Sequence, residues 1–177
     1  MDVHDKETRS YNMSCIKGKN TKPEEIVRKY LFSQGFRYRK NDNRLPGTPD
    51  IVLPKYKTVI FVNGCFWHGH VGCRYFVVPK TNTEFWVNKI ETNKQRDSRK
   101  INDLQALGWR VITVWECQLK KAVLEDTVNR VAEEIRHNGE ILRCAQNDRR
   151  KAREEYRLER RIRKEREESL LKEVKSL

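Results

Sequence analysis

No stretch of this 177-residue chain is apolar for long enough to span a bilayer. That sets aside a membrane-spanning helix, and no membrane partner is expected. The opening residues, MDVHDKETRS, are polar and lack the apolar core of a secretory signal. A cytoplasmic protein is therefore expected, in a compartment where thiols stay reduced. Acidic residues are in deficit, 25 Asp and Glu against 38 Lys and Arg, which leaves a net charge of +13. That balance points to an anionic partner, nucleic acid ahead of a membrane surface. Cysteines are few and odd in number: Cys15, Cys65, Cys73, Cys117 and Cys144. With histidines clustered among them, metal ligation fits better than a disulfide framework. Apolar residues make up 37% of the chain. One modest core with an appendage follows from that content and length.

Three regions can be told apart. Residues 1–20 form a basic N-terminal arm carrying Lys6, Arg9, Lys17 and Lys19, with little apolar periodicity. Residues 21–146 carry the patterned part. Residues 147–177 form a charged extension, helical or disordered, whose opposite charges recur at helical spacing, as in Glu159 with Arg163.

Within the patterned part, Thr21, Pro23 and Glu24 signal a capped helix start. Ile26, Tyr30 and Leu31 then supply an apolar stripe, and Gly35 suits the exit. DIVL at 50–53, TVIFV at 58–62 and RVITVW at 110–115 read as strands buried on both faces. The first two are joined too tightly to be anything but antiparallel. A long helix from Thr83 to Gly108, packing through Ile90, Ile101, Leu104 and Leu107, lets the third strand add in parallel. A last helix from Leu124 to Arg136 is expected to end at Gly139. The fold class is α/β, a mixed sheet flanked by helices.

FVNGCFWHGHVGC, Phe61 to Cys73, is the stretch that carries chemistry. Cys65, His70 and Cys73 are spaced C-x4-H-x2-C, compact enough to converge on one ion. Cys117, at the end of the RVITVWEC strand, is the best fourth ligand. Three cysteines and a histidine form a common structural zinc set with no open coordination position. Asp50 opens the first strand and the second ends at Val62-Asn63, so a hairpin brings carboxylate and backbone to one end. A carboxylate with a backbone carbonyl can hold Mg²⁺, and His68, just beyond, can act on a water. Phosphodiester hydrolysis needs those parts. The plainer reading of Asp50 is a turn-capping carboxylate after Pro49, and that of Glu24 is the capping box alone.

The run GTPDIVLPKYKTVIFVNGCFWHGHVGCRYF, with PKTNTEFW, LGWRVITVWEC and DKETRSYNMSCIKGKNTKPE, closely resembles the very-short-patch mismatch repair endonucleases, the Vsr family. The resemblance runs from about Asp2 to Arg136 and leaves out the tail after Asn147. It implies a restriction-endonuclease-like fold. It also implies nicking of duplex DNA 5′ to the thymine of T·G mismatches, which arise when 5-methylcytosine deaminates. A cytosine-5 DNA methyltransferase is the implied companion, and a monomer is the default state. By the family motif Asp50 resembles the Mg²⁺ carboxylate, with the Val62 carbonyl a further ligand. His68 resembles the base, and Glu24 an acidic position of the active site. Cys65, His70, Cys73 and Cys117 resemble the structural zinc ligands. Phe66, Trp67 and Trp86 resemble a wedge driven into the base stack, opposed by Met13 and Ile16 from the other groove. Unstacking costs less at a mispair, so a wedge selects for one. Asn63 stands where some family members carry histidine, and asparagine takes no proton at neutral pH. Two rival functions share parts of this set. A restriction-like nuclease without mismatch preference does not need the aromatic wedge. A non-catalytic zinc module that binds DNA does not need Asp50 or His68.

Overall fold

A computed structural model describes residues 5, 7–8, 11, 14–15 and 18–175, with side chains described as far as Arg161. Met13 and Ile16 lie outside the described residues. Helix α1 spans Lys22–Ser33, β1 Arg39–Lys40, β2 Ile51–Leu53 and β3 Thr58–Asn63. Helix α2 spans Thr83–Ala106, β4 Arg110–Trp115 and α3 Leu124–Lys175. The strands form one sheet in the order β1-β2-β3-β4. The first two junctions are antiparallel, and β3 and β4 run parallel from Thr58↔Arg110 to Asn63↔Trp115.

Helix α1 starts as its sequence predicts. Glu24 N–H donates to Thr21 Oγ1 at 3.5 Å, and the Glu24 carboxylate accepts from Thr21 N–H at 3.1 Å. Its exit is a Schellman turn: Phe36 N–H donates to the Leu31 carbonyl and Gly35 N–H to that of Phe32, each at 3.0 Å. Gly35 takes φ +81°, the left-handed conformation that favours glycine. The buried face differs by one residue from the expected stripe. Val27 and Leu31 are buried and Ile26 is exposed. The capping box sets this phase, because Glu24 must face Thr21 and Arg28, which turns positions 27 and 31 inward.

Strand alternation then divides the core. Ile51, Leu53, Ile60, Ile112 and Val114 pack with Val27 and Leu31 of α1 and with Val128, Val131, Ala132 and Ile135 of α3. Val52 and Val59 face the other way, onto Leu104 of α2, with Phe61, Trp109 and Val111 beside them. The sheet is thus a middle layer, which is why its strands read as continuous apolar runs. On α2, Ile90 and Leu104 are buried, but Leu107 is exposed and Ile101 only half-buried. Two elements depart from expectation. Strand β1 is only Arg39–Lys40, too short and too polar to carry a period-2 signal. Helix α3 continues through Gly139, where a stop was expected. One glycine costs a helix about 1 kcal/mol against alanine, and the good helix formers around it absorb that.

The chain falls into two compact units, Met1–Asn138 and Gly139–Leu177. The second is helical through Lys175, with an i,i+4 pair of Arg150 and Glu154 at 4.0 Å. Among the described residues no helix is long and apolar enough to cross a membrane.

Candidate active site and metal centre

The topology collects the chemistry at one end of the sheet. Strands β3 and β4 are parallel, so their C-terminal ends lie together and deliver Asn63 and Gly64 beside Glu116 and Cys117. Strand β2 is antiparallel to β3, so its N-terminal end, Asp50, reaches the same edge. A cleft of about 600 Å³ opens there. Its lining includes Glu24, Asp50, Val62, His68, Asp97 and Lys100.

Asp50 is tied to the strand beside it. Val62 N–H donates to Asp50 Oδ2 at 2.8 Å. Burial pushes the Asp50 carboxyl up to about 6, and Glu24 adds to the rise, while the Val62 N–H, Arg28 and His68 oppose it. A carboxylate that buried costs free energy to ionise unless a cation joins it. Glu24 is almost wholly buried and already well bonded. It accepts from Asn20 N–H and Thr21 N–H at 3.1 Å and from Thr21 Oγ1 at 2.8 Å, and it pairs with Arg28 at 3.2 Å. The capping role is therefore real, and Glu24 lines the cleft as well.

His68 has a partner that sequence reasoning missed. Its Nδ1 meets Asp97 Oδ2 at 2.5 Å, across 29 positions of chain. The other oxygen, Asp97 Oδ1, accepts from Lys100 Nζ at 3.2 Å. Burial raises the Asp97 carboxyl, but the His68 hydrogen bond and charge, with those of Lys100, outweigh it and the net shift is down. Asp97 comes from the inward face of α2, the face of Ile90, Asn93 and Leu104. An acid interrupting that stripe at helical spacing was the available signal.

The second cluster lies in the loop after β3. Ligand atoms of Cys65, His70, Cys73 and Cys117 all fall within 4.8 Å of one another. His70 Nδ1 is 3.6 Å from Cys65 Sγ and 3.4 Å from Cys117 Sγ. The four could hold a metal ion, and Cys117 comes from the strand end where it was expected. Cys15 and Cys144 are exposed and are not members of this group. Trp115 stacks flat on His70, with centroids 4.1 Å and planes 1° apart, a contact the sequence did not announce. Gly69 lets the loop sit against α2. It adopts φ +61°, and a Cβ there would lie 2.8 Å from Ile90 Cγ2 and 2.3 Å from Lys94 Cε.

Phe66 and Trp67 follow Cys65 in the same loop and join an aromatic group. Phe66, Trp67 and Trp86 meet edge to face, with centroids 5.2 to 6.0 Å apart. Asn93 Nδ2 holds the Trp67 carbonyl at 2.9 Å. Phe85, more than half exposed, adds a fourth ring against Trp86.

Known proteins match this chain. A family profile described as DNA mismatch endonuclease Vsr matches residues 1–74. A Type II nicking enzyme, V.NmeAIP of Neisseria meningitidis, is 52% identical over 136 residues, 76% of this chain and 96% of its own length. This chain belongs to the Vsr family. The DNA mismatch endonuclease Vsr of Escherichia coli K12 is 52% identical over 67% of this chain and 76% of that protein. Among solved structures, the homing endonuclease I-Bth0305I catalytic domain overlaps 67% of this chain and 94% of that chain, with 24% identity and a TM-score of 0.41. Both sites and the aromatic group fall within the unit Met1–Asn138 of this Vsr-family chain.

Proposed function

We propose that this chain is a Mg²⁺-dependent DNA endonuclease that nicks duplex DNA 5′ to the thymine of T·G mismatches left by 5-methylcytosine deamination. The carrying observation is the single cleft in which Asp50, fixed by Val62 N–H at 2.8 Å, and His68, fixed by Asp97, stand together. Family membership supports the same reading. Such an activity belongs with chromosomal DNA in the cytoplasm, as a monomer, alongside a cytosine-5 methyltransferase that creates the damaged sites.

Asp50 and the Val62 carbonyl would hold the magnesium. Their hard oxygens suit that ion, and a raised, buried carboxylate is one that a cation stabilises. When bound, the ion neutralises charge on the scissile phosphate. His68 supplies the proton chemistry. With Nδ1 committed to Asp97, Nε2 is the nitrogen left to take a proton from the attacking water. That water's oxygen would bond to phosphorus as the P–O bond to the departing sugar oxygen breaks, and that oxygen would leave as a hydroxyl by taking a proton from solvent. Asn63 lines the cleft and can orient a water or a phosphate oxygen through its amide. Glu24 shapes the site through Thr21 and Arg28.

Cys65, His70, Cys73 and Cys117 would hold a structural zinc. A tetrahedral zinc with sulfur and nitrogen ligands spaces them roughly 3.5–3.8 Å apart. The sulfur-to-Nδ1 distances of 3.4 and 3.6 Å lie close to the short end of that spacing. Phe66, Trp67 and Trp86 are the wedge, and their partial exposure leaves them able to enter a base stack. Met13 and Ile16 of the arm take the opposing insertion. The aromatic group favours this reading over a nuclease without mismatch preference.

A nicking assay on matched and T·G duplexes tests the proposal. Asp50→Ala and His68→Ala should each lose at least about a hundredfold in rate. Parent-like nicking by either would remove that residue from the catalytic centre. Phe66→Ala should lower mismatch preference more than general DNA affinity; equal loss of both would mean plain packing. Elemental analysis should find about one zinc per chain.

A further inference from the structure

Lys100 is a cation in the cleft that no motif predicts. Among the described residues, its cleft neighbours include four carboxylates, Glu24, Asp50, Asp97 and Glu116, and one other lysine, Lys19. Its ammonium donates to Asp97 Oδ1 at 3.2 Å, while Asp97 Oδ2 meets His68 Nδ1. The three groups form a line from Lys100 through Asp97 to His68. The stem of Lys100 is also held. Gly47, at φ +76° in the turn before Asp50, packs its backbone on that stem so closely that a Cβ would lie 2.7 Å from Lys100 Cδ. Lys100 and Asp97 are one helical turn apart on α2, so the same helix face presents both. The side chain of Lys100 is only 28% exposed. A lysine kept there by packing and by an ion pair has lost its freedom before DNA arrives.

We propose that Lys100 is a positioning residue for nicking, acting through Asp97 to hold His68 in working orientation. The inference rests on His68 being the base. Asp97 on a single hydrogen bond could rotate about its χ2 and let the imidazole turn. With both oxygens engaged, carboxylate and ring are fixed as a unit. Strand β3, TVIFVN, has no lysine; the lysine that pairs with Asp97 comes from α2, and Gly47 of the LPGTP turn packs on its stem.

The test is single-turnover nicking of a T·G duplex at saturating enzyme, with DNA affinity measured in parallel. Lys100→Met keeps the stem length against Gly47 and removes the charge, and its unchanged melting temperature verifies the fold. It should nick about tenfold more slowly, with affinity within about twofold of the parent. Lys100→Arg should restore the rate to within about threefold. In an Asp97→Asn background, Lys100→Met should cost less than about twofold more. The inference is overturned if Lys100→Met nicks at the parent rate. A loss of affinity without loss of rate at saturation also overturns it, since Lys100 would then be a phosphate contact. So does a full further loss on top of Asp97→Asn. Failure of the catalytic reading looks different: His68→Ala itself would nick like the parent.

Discussion

The Asp50 carboxyl is pushed up to about 6 by burial, with Glu24 adding to the rise and Val62 N–H, Arg28 and His68 working against it. A carboxyl raised in the folded state holds its proton more tightly than in the unfolded chain. Folding stability therefore falls as pH rises from about 4 to about 6 and stays low above that. Asp50→Asn keeps an oxygen for Val62 N–H and removes the charge. In magnesium-free buffer near pH 7.5 it should be more stable than the parent by on the order of 2–3 kcal/mol, and the difference should vanish near pH 4. Added Mg²⁺ should raise the melting temperature of the parent and leave the variant unmoved. Denaturation curves at the two pH values check the first part; a variant less stable at both would mean that the carboxylate is a structural cap after Pro49. Asp42 behaves in the opposite sense. The hydrogen bond from Arg44 outweighs partial burial and holds its carboxyl down at about 2. Its contribution is present above pH about 4 and lost as pH falls toward 2, so Asp42→Asn should flatten acid unfolding in that window. Both carboxyls were visible in the sequence, but only Asp50 carried a motif. Asp97 showed in the sequence only as an acid on the inward stripe of α2; its pairing with His68 was not legible, because the two lie 29 positions apart and nothing local ties them.

The loop after β3 depends on α2 as much as on its own ligands. Gly69 fits only because it has no side chain, with Ile90 and Lys94 of α2 closing over it. Gly69→Ala forces a strained φ and a clash with Ile90 Cγ2 and should destabilise the fold by about 1–3 kcal/mol. The larger effect should be on metal retention, because His68, His70 and Trp67 all flank the displaced residue. Elemental analysis after dialysis against a weak chelator checks this: the variant should lose its bound metal first, and equal retention would show that the loop moves freely of α2. Thr21→Ala probes α1 in the same way. It removes the Thr21 hydroxyl from the Glu24 carboxylate at 2.8 Å and should cost about 1 kcal/mol of stability. Elements with strong local signals were readable in advance. The capping box, the β-branched runs of β2 to β4 and the long α2 needed no tertiary information. Strand β1 has two residues and exists only because β2 offers it an edge. The phase of α1 was lost for a similar reason: Glu24 and Arg28 are polar, yet they are buried because the cleft network takes them inward.

At the scale of the whole molecule, charge is shared unequally along the chain. Residues 147–177 carry 12 basic and 8 acidic residues, a net +4 of the chain's +13. The remaining +9 lies in residues 1–146 with every candidate site residue. Opposite charges at i,i+4 within the helical extension, such as Arg150 with Glu154, satisfy one another locally. The body should therefore supply most of the phosphate neutralisation. A chain ending at Gln146 should nick a short T·G duplex within about twofold of the full-length rate, at a similar melting temperature. The slope of log affinity against log salt should change by less than about 1. Each phosphate neutralised by the extension would contribute roughly 0.9 to that slope, so a drop of about 2 or more would show the helix lying on the DNA. Such a result would make residues 147–177 a second binding element, gained outside the part of the chain that the family resemblance covers.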